Sequence, residues 1–203
     1  MKSLENQLKF FYKDLNKWNF IQVGACDGIR GDPIHDMICK YEWEGILIEP
    51  ITEVFDKLCK NYFKCDNLIF ENIAIHPSKK NMDLFYYPKD NSLTSFNRKV
   101  RKLKKIAKSK IQKIKVDCMS LNDIIKKYDI DHIDLLQIDT EGFDYSVIRS
   151  LNFNLIKPSN IHFEFHLLRK EELKECKKYL SSTGYICSKT SKKDMLWRIK
   201  QEY

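Results

Sequence analysis

Glycine and proline are scarce: the 203-residue chain holds six glycines and five prolines. That composition excludes collagen-like and mucin-like architectures, and a hydrophobic fraction of 43% excludes a mostly disordered chain. No apolar run approaches membrane-spanning length, so a membrane span is not expected. Residues 1–18 mix charged and aromatic side chains; they do not resemble a secretory signal, and an N-terminal helix is expected there. The seven cysteines contain no Cys-x-x-Cys pair, which leaves little support for a zinc site or a disulfide framework. A reducing compartment, the cytoplasm, is therefore the default. Arginine is also rare. Thirty of the 36 basic residues are lysines, whereas base readout in nucleic acids leans on arginine forks.

What charge there is lies unevenly. Formal net charge is +8, yet the segment 98–115 alone holds ten basic residues and no acid. The remaining residues then balance 26 bases against 28 acids. The spacing of Val100, Leu103, Ile106 or Ala107, and Ile111 predicts a basic helix in this segment. A solvated helix face is its plain reading, and a partner-binding patch is the other. Residues 91–112 form the expected lid or insertion of a single domain spanning 1–203, with Asn91–Asn97 as a loop carrying Ser92, Thr94, Ser95 and Phe96.

Elsewhere the pattern alternates strand with helix. Phe20–Ala25, Gly45–Glu49, Leu68–Ile75, Met82–Tyr87, Lys113–Met119, Ile133–Asp139 and Asn160–His166 read as strands, several of them buried apolar runs. Asp32-Pro33, Thr52, Ser120 with Asp123, and Asp144 mark helix starts. Gly184 ends a helix from Lys170, and two closing strands follow, Tyr185–Lys189 and Met195–Ile199. The last pair lacks a helix between them and is expected to be antiparallel. The fold class is α/β: a mostly parallel sheet with helices on both faces.

Ligands of such sheets sit beyond the carboxyl ends of the strands. Here the strand ends deliver Asp27, Glu49, Asp139, Glu141 and Glu164, with His166 beside the last. Gly24 and Gly28 permit a tight turn. The spacing is not that of a dinucleotide fingerprint, since no glycine stands at 26, and no Gly-Lys-Ser/Thr phosphate cradle occurs. Acids around a glycine turn suit a cofactor that carries cationic groups and a ribose, and S-adenosylmethionine has both.

Val23-Gly24-Ala25-Cys26-Asp27-Gly28, Ile48-Glu49-Pro50, Asn72-Ile73-Ala74-Ile75 and Ile138-Asp139-Thr140-Glu141-Gly142-Phe143-Asp144 resemble, in order and approximate spacing across about residues 18–168, the FkbM family of S-adenosylmethionine-dependent methyltransferases. The Asp-x-Glu-Gly-Phe-Asp block is the most specific element. The chain departs from the family pattern at Cys26, where Asn or His is frequent, and at Gln22, where an acid is common. The resemblance implies a Rossmann-like class I methyltransferase fold, a seven-stranded sheet whose last strand is antiparallel. It also implies O-methylation of a sugar, as a glycan or glycosylated small molecule. Carried over by motif, Gly24, Ala25, Asp27 and Gly28 would hold the methionine part of the cofactor, and Val23 would also belong to its site. Glu49, followed by Pro50, would accept the ribose hydroxyls. Asn72 and Ile73 would lie by the adenine, and Asp139 near the amino group and methyl.

A sugar hydroxyl is a poor nucleophile at neutral pH and needs a base, or a metal that lowers its pKa. Asp139, Glu141, Glu164 and His166 are the candidate catalytic groups, with His166 as base and Glu164 orienting it. The alternative is a divalent ion, Mg²⁺ or Mn²⁺, held by Asp139, Glu164 and His166. His162 reads as a satisfied interior or surface histidine, and Asp144 as a helix cap. The expected partner is a sugar or glycan acceptor rather than nucleic acid. The competing function is RNA methylation, with the basic segment 98–115 holding the nucleic acid; the sequence sets no oligomeric state.

Overall fold

In the computed structural model of the protein, residues 3–96, 105–189 and 191–200 are described. Seven strands form one sheet in the order β10-β11-β9-β8-β1-β2-β3. Their ranges are β1 Asn19–Val23, β2 Glu44–Ile48, β3 Leu68–Glu71, β8 Leu135–Ile138, β9 Asn160–Glu164, β10 Tyr185–Lys189 and β11 Asp194–Ile199. Neighbours pair in parallel except β11, which runs antiparallel to both β9 and β10. This is the class I S-adenosylmethionine methyltransferase-like α/β fold, seven-stranded and mostly parallel, with the antiparallel strand at the end of the chain.

The central strands are apolar throughout because both faces are covered. Alternate residues Ile21, Ile46, Leu136, Ile138 and Phe163 enter one core with Leu121 and Ile124 of α4 (Leu121–Lys127), Val147 and Ile148 of α5 (Asp144–Arg149), and Cys176 and Leu180 of α6 (Lys170–Ser182). Phe20, Leu47, Leu135 and Leu196 enter the opposite core. There they meet Leu4 and Leu8 of α1 (Leu4–Phe11), Met37 and Ile38 of α2 (His35–Lys40), and Leu58 of α3 (Thr52–Asn61). The N-terminal helix thus covers Leu4–Phe11, capped by Ser3, and not all of residues 1–18. A buried polar row crosses the sheet through Gln22, Gln137 and His162, which are register partners on β1, β8 and β9. His162 Nδ1 donates to Gln137 Oε1 at 2.6 Å, and burial lowers its pKa to about 4, so of the two expected placements the ring takes the interior one and is neutral. The helix expected at Asp32 begins instead at His35. Asp32 Oδ1 accepts from the Ile34 backbone, and its Oδ2 accepts from Gln22 Nε2 at 3.0 Å.

A second sheet, β4-β7-β5-β6, stands beside the carboxyl ends of β1 and β2 and corrects three expectations. The run 68–75 is not one strand: β3 ends at Glu71, and β4 (Ala74–Ile75) pairs with β7 (Gln112–Met119) instead. Asn72 makes the break, because its Nδ2 donates to Glu49 O and its Oδ1 accepts from Thr52 Oγ1. The expected loop 91–97 is strand β6 (Asp90–Ser95), hairpin partner of β5 (Asn81–Tyr87); Asn97 lies outside the described residues. Of the basic segment, 98–104 lies outside the described residues, and Lys108–Lys110 is a single 3₁₀ turn leading into β7 rather than part of a long helix. The inner face of this sheet, with Leu84, Tyr86, Val116 and Cys118, buries against Ile51 and Val54.

Candidate active site

The carboxyl ends of β8, β1, β2 and β3 are laced together by backbone bonds. Asp139 N donates to Val23 O, Gly24 N and Ala25 N to Ile48 O, and Glu49 N to Glu71 O, at 2.9–3.1 Å. Gly24 sits at φ +79 with its Cα pressed on the Asp139 carbonyl; an added Cβ would fall 2.0 Å from that oxygen. Cys26 follows in the left-handed region at φ 51, a conformation that Asn adopts more readily than Cys. Its backbone N–H donates to Glu49 Oε2 at 3.1 Å, and Ile51 N–H donates to Oε1 at 2.9 Å. Glu49 is buried at 6% exposure, and desolvation pushes its carboxyl up to about 7 despite both bonds. Burial and the neighbouring Glu49 charge push the Cys26 thiol up to about 12, so it is no nucleophile.

These turns enclose a cavity of about 130 Å³. Of the residues singled out in the sequence, Val23, Gly24, Cys26, Glu49, Pro50, Ile73, Thr94, Ser95, Phe96, Asp139 and Glu141 line it. The others stand behind or beside it. Asp27 is not in the wall: its Oδ1 accepts from the Ile29 and Arg30 backbone and closes its own turn. Gly28 packs on Tyr62, whose hydroxyl donates to Gly28 O at 3.1 Å, and Ala25 is buried in the core. Asn72 braces Glu49 from behind. The sequence reading missed Arg30, Ile75, Leu84 and Thr140, which also line the cavity. The alternation of β5 marks Leu84 as buried, but Arg30 sits in an irregular loop with no local signal. Its guanidinium lies 3.7 Å from Asp90 at the tip of the β5–β6 hairpin.

Beside two of these wall residues a third acid converges. Single oxygens of Asp139, Glu141 and Glu164 lie within 4.8 Å of one another. Neither Glu164 nor His166 lines the cavity, and His166 Nδ1 lies 3.1 Å from Glu164 Oε1. Carboxylate geometry therefore groups Glu141, not His166, with Asp139 and Glu164. Glu141 (φ 54) and Gly142 (φ 98) are successive left-handed residues. Asp144 supports this turn by accepting from Thr140 N and Gly142 N, so it is a brace and not the helix cap expected; α5 has no side-chain cap. Asp144 is fully buried, and desolvation with the nearby Asp139 charge raises its pKa to about 8. Phe143 stacks on His76 (ring centroids 5.6 Å apart) and meets Phe96 edge-on at 4.9 Å.

The donor set fits an S-adenosyl cofactor. Glu49 and Asp139 offer carboxylates to hydroxyl and ammonium groups, and Val23, Ile48, Ile73 and Ile75 offer an apolar slot. Thr140 Oγ1 in the cavity wall is buried with no hydrogen-bond partner among the described residues, a position that asks for a polar ligand.

Sheet order, glycine turn and acidic strand ends together define a class I methyltransferase-like protein. The model of the methyltransferase FkbM domain matches residues 22–187, and the chain belongs to this family of S-adenosylmethionine-dependent methyltransferases. Among solved structures it is similar to methyltransferase FkbM from Methylobacillus flagellatus KT, with TM-score 0.54 and 12% identity over 90% of this chain and 43% of that one. It is also similar to the METTL16 methyltransferase domain (TM-score 0.55, 10% identity, 98% of this chain and 68% of that one). A third is a putative rRNA-methylase from Clostridium thermocellum (0.54, 7%, 100% and 98%). At these identities the likeness concerns the fold, and the chain spans less than half the length of the Methylobacillus protein. A comparison with curated proteins finds no match. Among the described residues no helix is long and apolar enough to cross a membrane.

Proposed function

We propose that the protein methylates a hydroxyl of a sugar, free or glycosidically linked, with S-adenosylmethionine as donor. The observation that carries this reading is the convergence of Glu164 on Asp139 and Glu141, two acids of the cavity wall, where an acceptor hydroxyl needs a proton acceptor. S-adenosylmethionine supplies, when bound, an electrophilic methyl on a sulfonium. The chain's own residues hold the reactants and move the proton. Glu49 takes the ribose hydroxyls, Ile73 and its apolar neighbours flank the adenine, and Asp139 faces the ammonium. His166 faces Glu164 through Nδ1 and, in this reading, takes the acceptor's proton on Nε2. Positioning the hydroxyl for in-line attack supplies the remaining rate enhancement. The direct experiment offers labelled S-adenosylmethionine with a panel of sugars and glycosides, and locates the methyl on oxygen by mass spectrometry. Transfer to RNA with none to any sugar overturns the reading.

The cofactor assignment has its own check. Glu49→Gln is expected to weaken S-adenosylhomocysteine about tenfold, since bonds to a charged acceptor are worth about 1.5–3 kcal/mol each before water compensates. Because hydroxyl donors favour the carboxylate form, ligand binding lowers the raised Glu49 pKa. Wild-type affinity should therefore rise as pH increases through 7, and the Gln variant should lose that slope. In the ligand-free protein the sign is opposite. Stability from this group is present below its ordinary 4.5 and is lost as pH rises through about 7. Calorimetry across pH 6–8 reads both; a flat wild-type profile counts against Glu49.

The basic segment supports no comparable acceptor reading. Replacing Lys105 and Lys108 by Gln, together with Lys102 and Lys104, should leave sugar methylation intact, and any RNA binding should be weak and fall steeply with salt. Tight, sequence-dependent RNA binding lost in that variant would reverse the order of the two functions.

A further inference from the structure

The outward face of the second sheet carries a groove of about 530 Å³ that the chemistry above does not use. Strand alternation places Leu84, Tyr86, Val116 and Cys118 on the buried face and Asn81, Asp83, Phe85, Lys113 and Lys115 on the outward one. Lys113 Nζ bonds Asp83 Oδ2 at 2.8 Å and neutralises the one acid in the groove wall. Asp117, opposite Asn81, is the other acid of that face and does not line the groove. Lys79 and Lys115 do line it, and neither is ion-paired among the described residues. The position of Lys79 is fixed by its own loop. His76 Nδ1 accepts the backbone N–H of Ser78 at 3.1 Å and of Lys79 at 3.0 Å. The same imidazole stacks on Phe143, and Phe143 meets Phe96. Phe96 lines both the groove and the cavity, so one aromatic ring separates two cations from the acidic mouth.

That division of charge selects an acceptor. Asp139 and Glu141 in the cavity wall, with Glu164 beside them, repel an anion, while two ammonium groups on the far side of Phe96, without an ion pair among the described residues, attract one. We propose that the groove is a second acceptor subsite that takes the phosphate of a phosphorylated sugar. Lys79 and Lys115 hold the phosphate, Phe85 and Phe96 offer apolar surface to the ring, and the hydroxyl to be methylated reaches past Phe96 to the acids. This inference rests on the sugar reading of the active site. Two cations suit one phosphate; a nucleic-acid backbone needs a longer row.

The test uses glucose 1-phosphate and glucose as probes, titrated calorimetrically into the full chain, with S-adenosylhomocysteine titrated separately. Glucose 1-phosphate should bind with an affinity that falls as salt rises, and glucose should not bind measurably. Lys79→Gln with Lys115→Gln should weaken the sugar phosphate about tenfold, the scale of one lost charged hydrogen bond. Arg at both positions should preserve binding. Lys115→Gln alone, on the open face of β7, should give a partial loss without disturbing the fold. S-adenosylhomocysteine affinity should be the same in all four proteins. The proposal is overturned if glucose 1-phosphate binds no better than glucose, or binds the double Gln variant equally well. It is also overturned if a uridylate decamer uses the same two lysines more tightly than the sugar phosphate does. Failure of S-adenosylhomocysteine to bind the wild type counts against the cofactor reading of the cavity, and the groove result is read without it.

Discussion

Gly24→Ala is expected to cost about 2–4 kcal/mol of stability, combining left-handed backbone strain with a steric clash. The backbone there lies at φ +79, and the new Cβ meets Asp139 O at 2.0 Å and Asp139 C at 2.9 Å. Both obstacles are main chain, so no rotamer change relieves them. Relief requires β1 and β8 to part at their carboxyl ends, against the bond from Asp139 N to Val23 O. The melting temperature should fall by about 5–15 °C for a chain of this length. S-adenosylhomocysteine binding should weaken by more than tenfold, because Asp139 and Thr140 in the cavity wall move with β8. Gly31→Ala is the matched control. Its φ is +74, yet nothing lies within 4 Å of an added Cβ, so only the strain of about 1–2 kcal/mol remains and ligand binding should survive. Equal losses in the two variants would show that backbone conformation, and not close approach of the two strand ends, governs the turn.

The same contrast between backbone path and side-chain direction explains what the sequence could reveal. The strands of the main sheet are legible because burial on both faces leaves them as short continuous apolar runs, as in Leu135–Ile138. The second sheet is obscure for the opposite reason. Strand β6 is built largely from Asn, Ser and Thr with no alternation to mark it, and it exists through its pairing with Phe85 and Tyr86. Leu68–Ile75 looks continuous, but Asn72 is claimed by Glu49 O and Thr52, partners distant in sequence. Within the site, residues from four separate motifs, Gly24, Glu49, Ile73 and Asp139, all line one cavity. They could not show which way each side chain faces. Asp27 closes its own turn, and Asp144, the last residue of the most specific motif, is spent on holding Thr140 and Gly142. That brace has a chemical consequence, since it holds Glu141 in a left-handed conformation beside Asp139 and Glu164.

His166→Ala is expected to lower the rate of methyl transfer about 10²–10⁴-fold, the usual contribution of one general base, while S-adenosylhomocysteine affinity is retained. The argument begins from Glu164. It is buried at 6% exposure at the end of β9, and its Oε1 lies 3.1 Å from His166 Nδ1. A carboxylate there favours the tautomer with the proton on Nδ1, which leaves Nε2 as the accepting atom. Glu164→Gln should therefore reduce turnover less than His166→Ala does, and should alter the acid limb of the rate profile, since the imidazolium loses its counter-charge. Activity of the wild type should fall at low pH as the imidazole takes up a proton, and chelators should have little effect. A divalent ion would produce a different pattern, because it would sit among Asp139, Glu141 and Glu164 and not on the imidazole. EDTA would then abolish turnover, Mg²⁺ or Mn²⁺ would restore it, and Asp139→Asn, Glu141→Gln and Glu164→Gln would each be as damaging as the loss of His166. Normal turnover in a variant lacking Asp139, Glu164 and His166 together would remove the chemistry from this rim altogether.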